Sequence, residues 1–245
     1  MIVKKLNFQI LAGCILFFAA FPSLQALGTV DTGWLYVDKI KKIENKGLMF
    51  KSWEGIIEVT SYDKKEKCDK KKEECFTAQK IDQRFSIHKK NIKAIKFMNQ
   101  SGLEGDFLIR YRKHRIEKIS LSSRLEIIEA VELTSQPPED FPRKLVVKKT
   151  GYRNFALDGK ILRLGRQGIC IKTYEGLYMD KKTGLVHPFS VTKKPMANYI
   201  FTAMQSSAPF SMGISDAIAK AFRKSDYDVF EINYDEKAGS SLVEE

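Results

Sequence analysis

A gapless internal repeat, short β-rich runs set apart by tight-turn residues, and one amphipathic helical segment at the same place in each repeat together predict the fold class. The expectation is a mainly β protein with helices (α+β). It is a tandem duplication of a small OB-like curled sheet or barrel, with one or two helices per copy. Closing such a sheet removes its edges. A parallel α/β fold would need strand and helix to alternate regularly, and here they do not.

The repeat comes first, because the rest depends on it. Lys39 to Gly55 falls without a gap on Lys160 to Gly176, an offset of 121. Phe85-Ser86-Ile87-His88-Lys89-Lys90 then falls on Phe189-Ser190-Val191-Thr192-Lys193-Lys194, and Ile109-Arg110-Tyr111 on Ile232-Asn233-Tyr234. The changing offset places an insertion in copy one between Gly55 and Phe85, and one in copy two over 206–224. Insertions belong in surface loops. The division that follows is an export signal over 1–26, a first β-rich repeat over 27–134, and a connection over 135–142. A second repeat over 143–236, with a helical insertion at 206–224, and an acidic tail over 237–245 complete the chain. Pro137, Pro138 and Pro142 favour an extended connection.

Within each copy the elements follow from pattern. Trp34 to Ile43 and Gly47 to Trp53 read as strands around the turn signal Asn45-Lys46-Gly47, and Gly165 to Gly168 supplies the same signal in copy two. Glu54-Gly55 and Glu175-Gly176 read as the next corner. Gln83 to Ile87 and Pro188 to Val191 read as strands, followed by helices over Lys89 to Asn99 and Pro195 to Gln205. Ile92, Ile95 and Met98 give the first helix an apolar face; Met196, Tyr199, Ile200 and Ala203 give the second one. Pro195 suits the first turn. Asp106 to Tyr111 and Val229 to Tyr234 read as closing strands. In the insertion, Ser215 reads as the cap of a short helix carrying Ile214, Ile218 and Phe222.

The N-terminus has the layout of a secretory signal: Lys4 and Lys5, an uncharged run from Ile10 to Phe21, then Pro22 to Ala26 with cleavage expected after Ala26. The run is shorter than the roughly 20 residues of a membrane span. Leu11-Ala12-Gly13-Cys14 opens a second reading, a lipoprotein acylated at Cys14, which would place the body on a membrane. The expected location is the periplasm or cell surface.

Export permits disulfides. Cys68 and Cys75 lie in a segment of alternating lysines and acids, and a local bridge stapling a hairpin tip is the natural reading. A metal site lacks a second pair or a histidine at ligand spacing, and no metal or other cofactor is expected. Cys170 reads as a buried small hydrophobe.

At Gly47-Leu48-Met49-Phe50-Lys51-Ser52-Trp53-Glu54-Gly55, and again at Gly168 to Gly176, the chain resembles a group of small uncharacterised bacterial proteins with a recurrent Gly-Leu-Ile-Phe-Lys-Thr-Trp-Glu-Gly run. Some of them are labelled 6-phosphogluconate dehydrogenase. No Gly-x-Gly-x-x-Gly follows a predicted strand here, so the resemblance implies a fold rather than that activity.

The repeated motif residues are Gly47, Trp53, Glu54 and Gly55 in copy one and Gly168, Tyr174, Glu175 and Gly176 in copy two. Two carboxylates could do acid and base chemistry if brought within about 5 to 10 Å. The competing reading is structural, with each glutamate accepting turn amides or pairing with Lys51 or Lys172. Trp53 and Tyr174 divide between core aromatics and stacking platforms. His88, His114 and His187 lack metal or nucleophile partners in sequence and read as surface residues.

Charge narrows the partners. Lysine and arginine number 42 against 30 acids, a net of +12. The last 21 residues carry seven acids against Lys237, so the surplus belongs to the body. Its densest run is Arg110-Tyr111-Arg112-Lys113-His114-Arg115, where Arg110, Arg112, Lys113 and Arg115 are candidate polyanion contacts. The alternative is a solvated sheet edge. The functional expectation is an exported, non-catalytic cell-envelope protein that binds or scaffolds an envelope protein or anionic polymer. Two other readings stay open. One is an adhesin-like binder of acidic glycan or lipid headgroup; the other is an envelope enzyme with dispersed catalytic residues. Export argues against nucleic acid as the natural target, and membrane contact is expected only if Cys14 is lipidated.

Overall fold

The computed structural model describes residues 30–47, 51–64, 76–100, 104–116, 118, 120–147, 154–167, 173–206, 210–216, 225 and 227–234. Residues 1–26 with Cys14, and Cys68, Cys75, Cys170, Gly168, Ile218, Phe222 and the acidic tail, lie outside the described residues.

The elements in order are β1 (Val30–Lys46), β2 (Ser52–Lys64), β3 (Phe76–His88), α1 (Ile92–Gln100), β4 (Glu104–His114), β5 (Leu125–Glu132) and β6 (Lys144–Val146). There follow β7 (Asn154–Gln167), β8 (Thr173–Asp180), β9 (Val186–Val191), α2 (Lys194–Met204), β10 (Phe210–Asp216) and β11 (Tyr227–Tyr234). Strand order β1-β2-β3-β5-β4 returns to β1, and β7-β8-β9-β11-β10 returns to β7. The chain is therefore a duplicated, OB-like five-stranded barrel. In each barrel the third and fifth strands meet in parallel, Ser86 beside Glu126 and Ser190 beside Asp228.

The first strand of each barrel must bend to serve several partners. The β1–β2 register slips between Ile40 and Lys42, and the β7–β8 register slips between Ile161 and Arg163, the same place at the 121-residue offset. A bulge supplies that bend. Each helix follows the third strand and closes a barrel. Asn91 caps α1, its Oδ1 accepting from the Ala94 amide at 3.4 Å, and the helix buries Ala94, Ile95 and Met98. Pro195 sits in the first turn of α2, which buries Met196, Ala197, Tyr199, Ile200, Ala203 and Met204.

Four expectations change. Residues 210–216 of the supposed helical insertion are a strand: Phe210, Met212 and Ile214 are buried at period two, and Ser215 is fully buried in it. That strand, β10, closes onto β7 as β4 closes onto β1, so β4 matches β10 and β11 matches β5. The alignment of Ile109-Arg110-Tyr111 with Ile232-Asn233-Tyr234 thus joined strands of different position. Glu54-Gly55 and Glu175-Gly176 lie within strands rather than at corners. Gly47 does take a turn, at φ 97°. Finally, the connection 135–142 is pinned: the Phe141 and Tyr199 rings lie 4.4 Å apart, and Tyr199 donates its hydroxyl to Pro142 O at 2.6 Å.

The barrels share a sheet. β1 pairs antiparallel with β7 through Thr32↔Arg166, Gly33↔Gly165, Trp34↔Leu164 and Leu35↔Arg163. A Cβ on Gly33 would stand 2.7 Å from Leu164 O, 2.8 Å from Tyr111 Oη and 2.9 Å from Gly165 Cα, so glycine permits this approach. The outer side of barrel one here continues as the inner side of barrel two. Trp34 and Leu108, from barrel one, are accordingly buried in the second core, while Val37, Ile57, Phe85, Ile87, Phe107 and Ile109 form the first.

Candidate anion-binding site

The repeated glutamates are structural ties. Glu54 on β2 is 5% exposed; it accepts the hydroxyls of Ser52 and Ser86 at 2.5 Å each and the Ser122 amide at 3.3 Å. Glu175 on β8 is 7% exposed and accepts Thr173 Oγ1 at 2.6 Å and Ser190 Oγ at 2.7 Å. Hydroxyls from the same strand and its neighbour satisfy both, joined at Glu54 by the loop amide of Ser122 as expected, and Lys51 is not among the partners. A buried carboxyl needs such partners. Each glutamate belongs to its own barrel, and the two do not form an acid and base pair. The adjoining Gly55 and Gly176 make room for the rings of Phe85 and Phe189. Trp53 packs against the first core and Tyr174 against the second, both half-buried.

His114 is buried at 6% exposure, not on the surface. Its Nε2 lies 2.7 Å from Glu126 Oε2, which Lys118 also approaches at 3.3 Å. Burial pushes the Glu126 carboxyl up, but hydrogen bonds from His114 and Lys118 outweigh it and hold the group below its ordinary range.

Arg110 to His114 of the basic run lie on β4, which pairs with β1 on one side and β5 on the other, and Arg115 follows just beyond it. β4 is not a sheet edge, so edge protection does not account for its charge. Arg110 is joined to Glu129 at 3.3 Å. Arg112, Lys113 and Arg115 are exposed and have no ion pair among the described residues. On the outer face of barrel one, by contrast, Lys41 is held by Glu58 at 2.9 Å and Asp82 at 2.6 Å, and Lys80 meets Glu58 at 3.2 Å.

The seam between the barrels extends the basic group. Arg112 lies opposite Thr32, Thr32 opposite Arg166, and Arg166 opposite Tyr174. Residues directly opposite in a ladder share a face, so four adjacent strands present a guanidinium, a hydroxyl, a guanidinium and a phenol in one row. None of these four side chains has a hydrogen-bond or ion-pair partner among the described residues. With strands about 4.8 Å apart, the two arginine Cα atoms stand roughly 10 Å apart. Glu126, opposite Arg112 in the same row, is engaged by His114 and Lys118. Phe201 buttresses the row from α2, 6.1 Å from both the Trp34 and Tyr174 rings. A row of donors free of protein partners among the described residues can hold carboxylate, sulfate or phosphate groups, since charge-assisted hydrogen bonds are the strong ones. Sequence reasoning found Arg112 and Tyr174 separately and missed Thr32 and Arg166. Only the β1–β7 pairing assembles them.

Fold and site thus define a paired-barrel protein with a row of donors at the barrel junction that have no side-chain partner among the described residues. The chain belongs to the family described as "Domain of unknown function (DUF8785)", whose model matches residues 28–136 and 150–239. No curated protein matches the sequence. Among solved structures it is similar to a single-stranded DNA binding protein from Thermus aquaticus. A deletion mutant of that protein is 9% identical over 86% of this chain and 96% of that one, and the wild type 7% identical over 85% and 93%, both with a TM-score of 0.24.

Proposed function

We propose that this chain is an exported, non-catalytic binding protein of the cell envelope that takes a polyanion across the junction of its two barrels. The observation that carries the reading is the row Arg112, Thr32, Arg166 and Tyr174, whose donors have no hydrogen-bond or ion-pair partner among the described residues. Lys113 and Arg115 extend the positive field beyond it. Export rests on the N-terminal layout of Lys4, Lys5 and the Ile10 to Phe21 run. The buried Glu54 and Glu175 serve the barrels rather than a reaction.

Retention on heparin, followed against salt, tests this. The parent chain should be held at low salt and released as salt rises, because exposed charges are screened. Replacing Arg112 and Arg166 together by glutamine should weaken binding and make the slope of log affinity against log salt shallower by roughly two. Heparin binding unchanged by the double substitution, or absent from the parent, overturns the reading.

A further inference from the structure

The ends of the strands show what kind of polyanion this face meets. β1 begins at Val30 opposite His114, the last residue of β4, and Asp31 lies opposite Lys113. Thr32 lies opposite Arg166, one residue before β7 ends. The entry of the chain into the fold, the basic run and the junction row therefore share one end of the molecule.

At that end the β4–β5 connection holds an apolar side chain outward. The connection is braced: the His114 amide donates to Arg124 O at 2.8 Å, the Leu121 amide to Lys118 O at 2.9 Å, and Leu121 is buried at 5% exposure. The His114 and Lys118 contacts to Glu126 fasten it further. Ile116 is nonetheless 57% exposed, in the sequence Arg115-Ile116-Glu117-Lys118. One exposed isoleucine is ordinary on a protein surface. Its position beside Arg115, at the end of the strand that carries Arg112 and Lys113, is the pattern by which peripheral proteins meet a bilayer, with an apolar residue at the headgroup boundary and basic residues drawn to anionic lipid.

We infer that this end docks on the surface of an anionic lipid bilayer, with Ile116 entering the headgroup boundary and Arg112, Lys113, Arg115 and Arg166 meeting lipid headgroups. The inference rests on the anion-binding reading above and names the anion's source. A soluble acidic polymer is the competing occupant.

The test uses the full chain with vesicles of phosphatidylcholine alone and of equal parts phosphatidylcholine and phosphatidylglycerol. Because the N-terminal run can bind either vesicle, the contrast between the two is the readout. The indole introduced by Ile116→Trp should be quenched by brominated acyl chains in the phosphatidylglycerol vesicles and much less in phosphatidylcholine, measured against the unsubstituted chain. Ile116→Ser should lower the phosphatidylglycerol-dependent partition by about tenfold while heparin retention stays at the parent value. Retained heparin binding without a vesicle contrast, without quenching, or with Ile116→Ser equal to the parent overturns the membrane assignment and leaves the anion site standing. Loss of heparin binding in the parent removes both.

Discussion

Gly176 lies opposite Phe189 in neighbouring strands, and a Cβ built on the glycine would stand 2.2 Å from the ring's Cζ. The three nearest atoms are all in that ring. Gly55 and Phe85 repeat the arrangement at 2.5 Å, but there Lys42 O is nearer still, at 2.2 Å. Gly176→Ala should therefore destabilise the protein by about 1 to 3 kcal/mol, and Phe189→Leu should restore part of the loss. Gly55→Ala should gain little from Phe85→Leu, because a backbone oxygen cannot be repacked by that change. Denaturant midpoints of the four variants and the two doubles check this; equal rescue in both barrels would contradict it.

The hydroxyl ties make a separate prediction. Ser86 is the donor to Glu54 Oε2 and Ser190 the donor to Glu175 Oε2. Ser86→Ala and Ser190→Ala should each cost about 1 to 3 kcal/mol, the penalty for a buried polar atom left without its partner. Since the two ties sit in different barrels, the double variant should equal the sum of the singles within about 0.5 kcal/mol. A large coupling energy in the double-mutant cycle would show that the ties are not independent.

Acid should act through Glu126. Its carboxyl is held below the ordinary range when folded, so it contributes stability above its unfolded value, near 4.3, and that contribution is lost as pH falls through the folded value. Glu126→Gln should be less stable than the parent at neutral pH, and the gap should narrow as pH drops below about 4. Urea unfolding across pH measures it, and a gap constant from neutral to acid would sink the assignment.

Charge alone does not make the junction site. Gly33→Ala removes no cation, yet its methyl group would push against Leu164 O, Tyr111 Oη and Gly165 Cα and part β1 from β7. Heparin affinity should fall severalfold toward that of Arg166→Gln, with the overall charge unchanged. Retention equal to the parent would mean that the basic run acts without its neighbour from barrel two.

Local chemistry made much of this protein legible. Trp53-Glu54-Gly55 and Tyr174-Glu175-Gly176 marked equivalent strands because each barrel needs a glycine beneath a phenylalanine and a carboxyl beside a serine. The helices were visible from Ile95 and Met98, and from Met196 and Ile200, at helical spacing. β10 was missed because its residues were read with the segment after Ser215; the burial of Phe210, Met212 and Ile214 shows a period of two over 210–216, while Ile218 and Phe222 lie outside the described residues.

The sequence by itself determined the duplication, the barrel class and the basic excess, since all three reside in residue types and short spacings. Only the tertiary structure decided which cations lie side by side. Arg112 and Arg166 belong to different barrels and become neighbours through Thr32 because Gly33 and Gly165 let two distant strands pair. Such pairing depends on backbone approach across the fold, which no local pattern encodes.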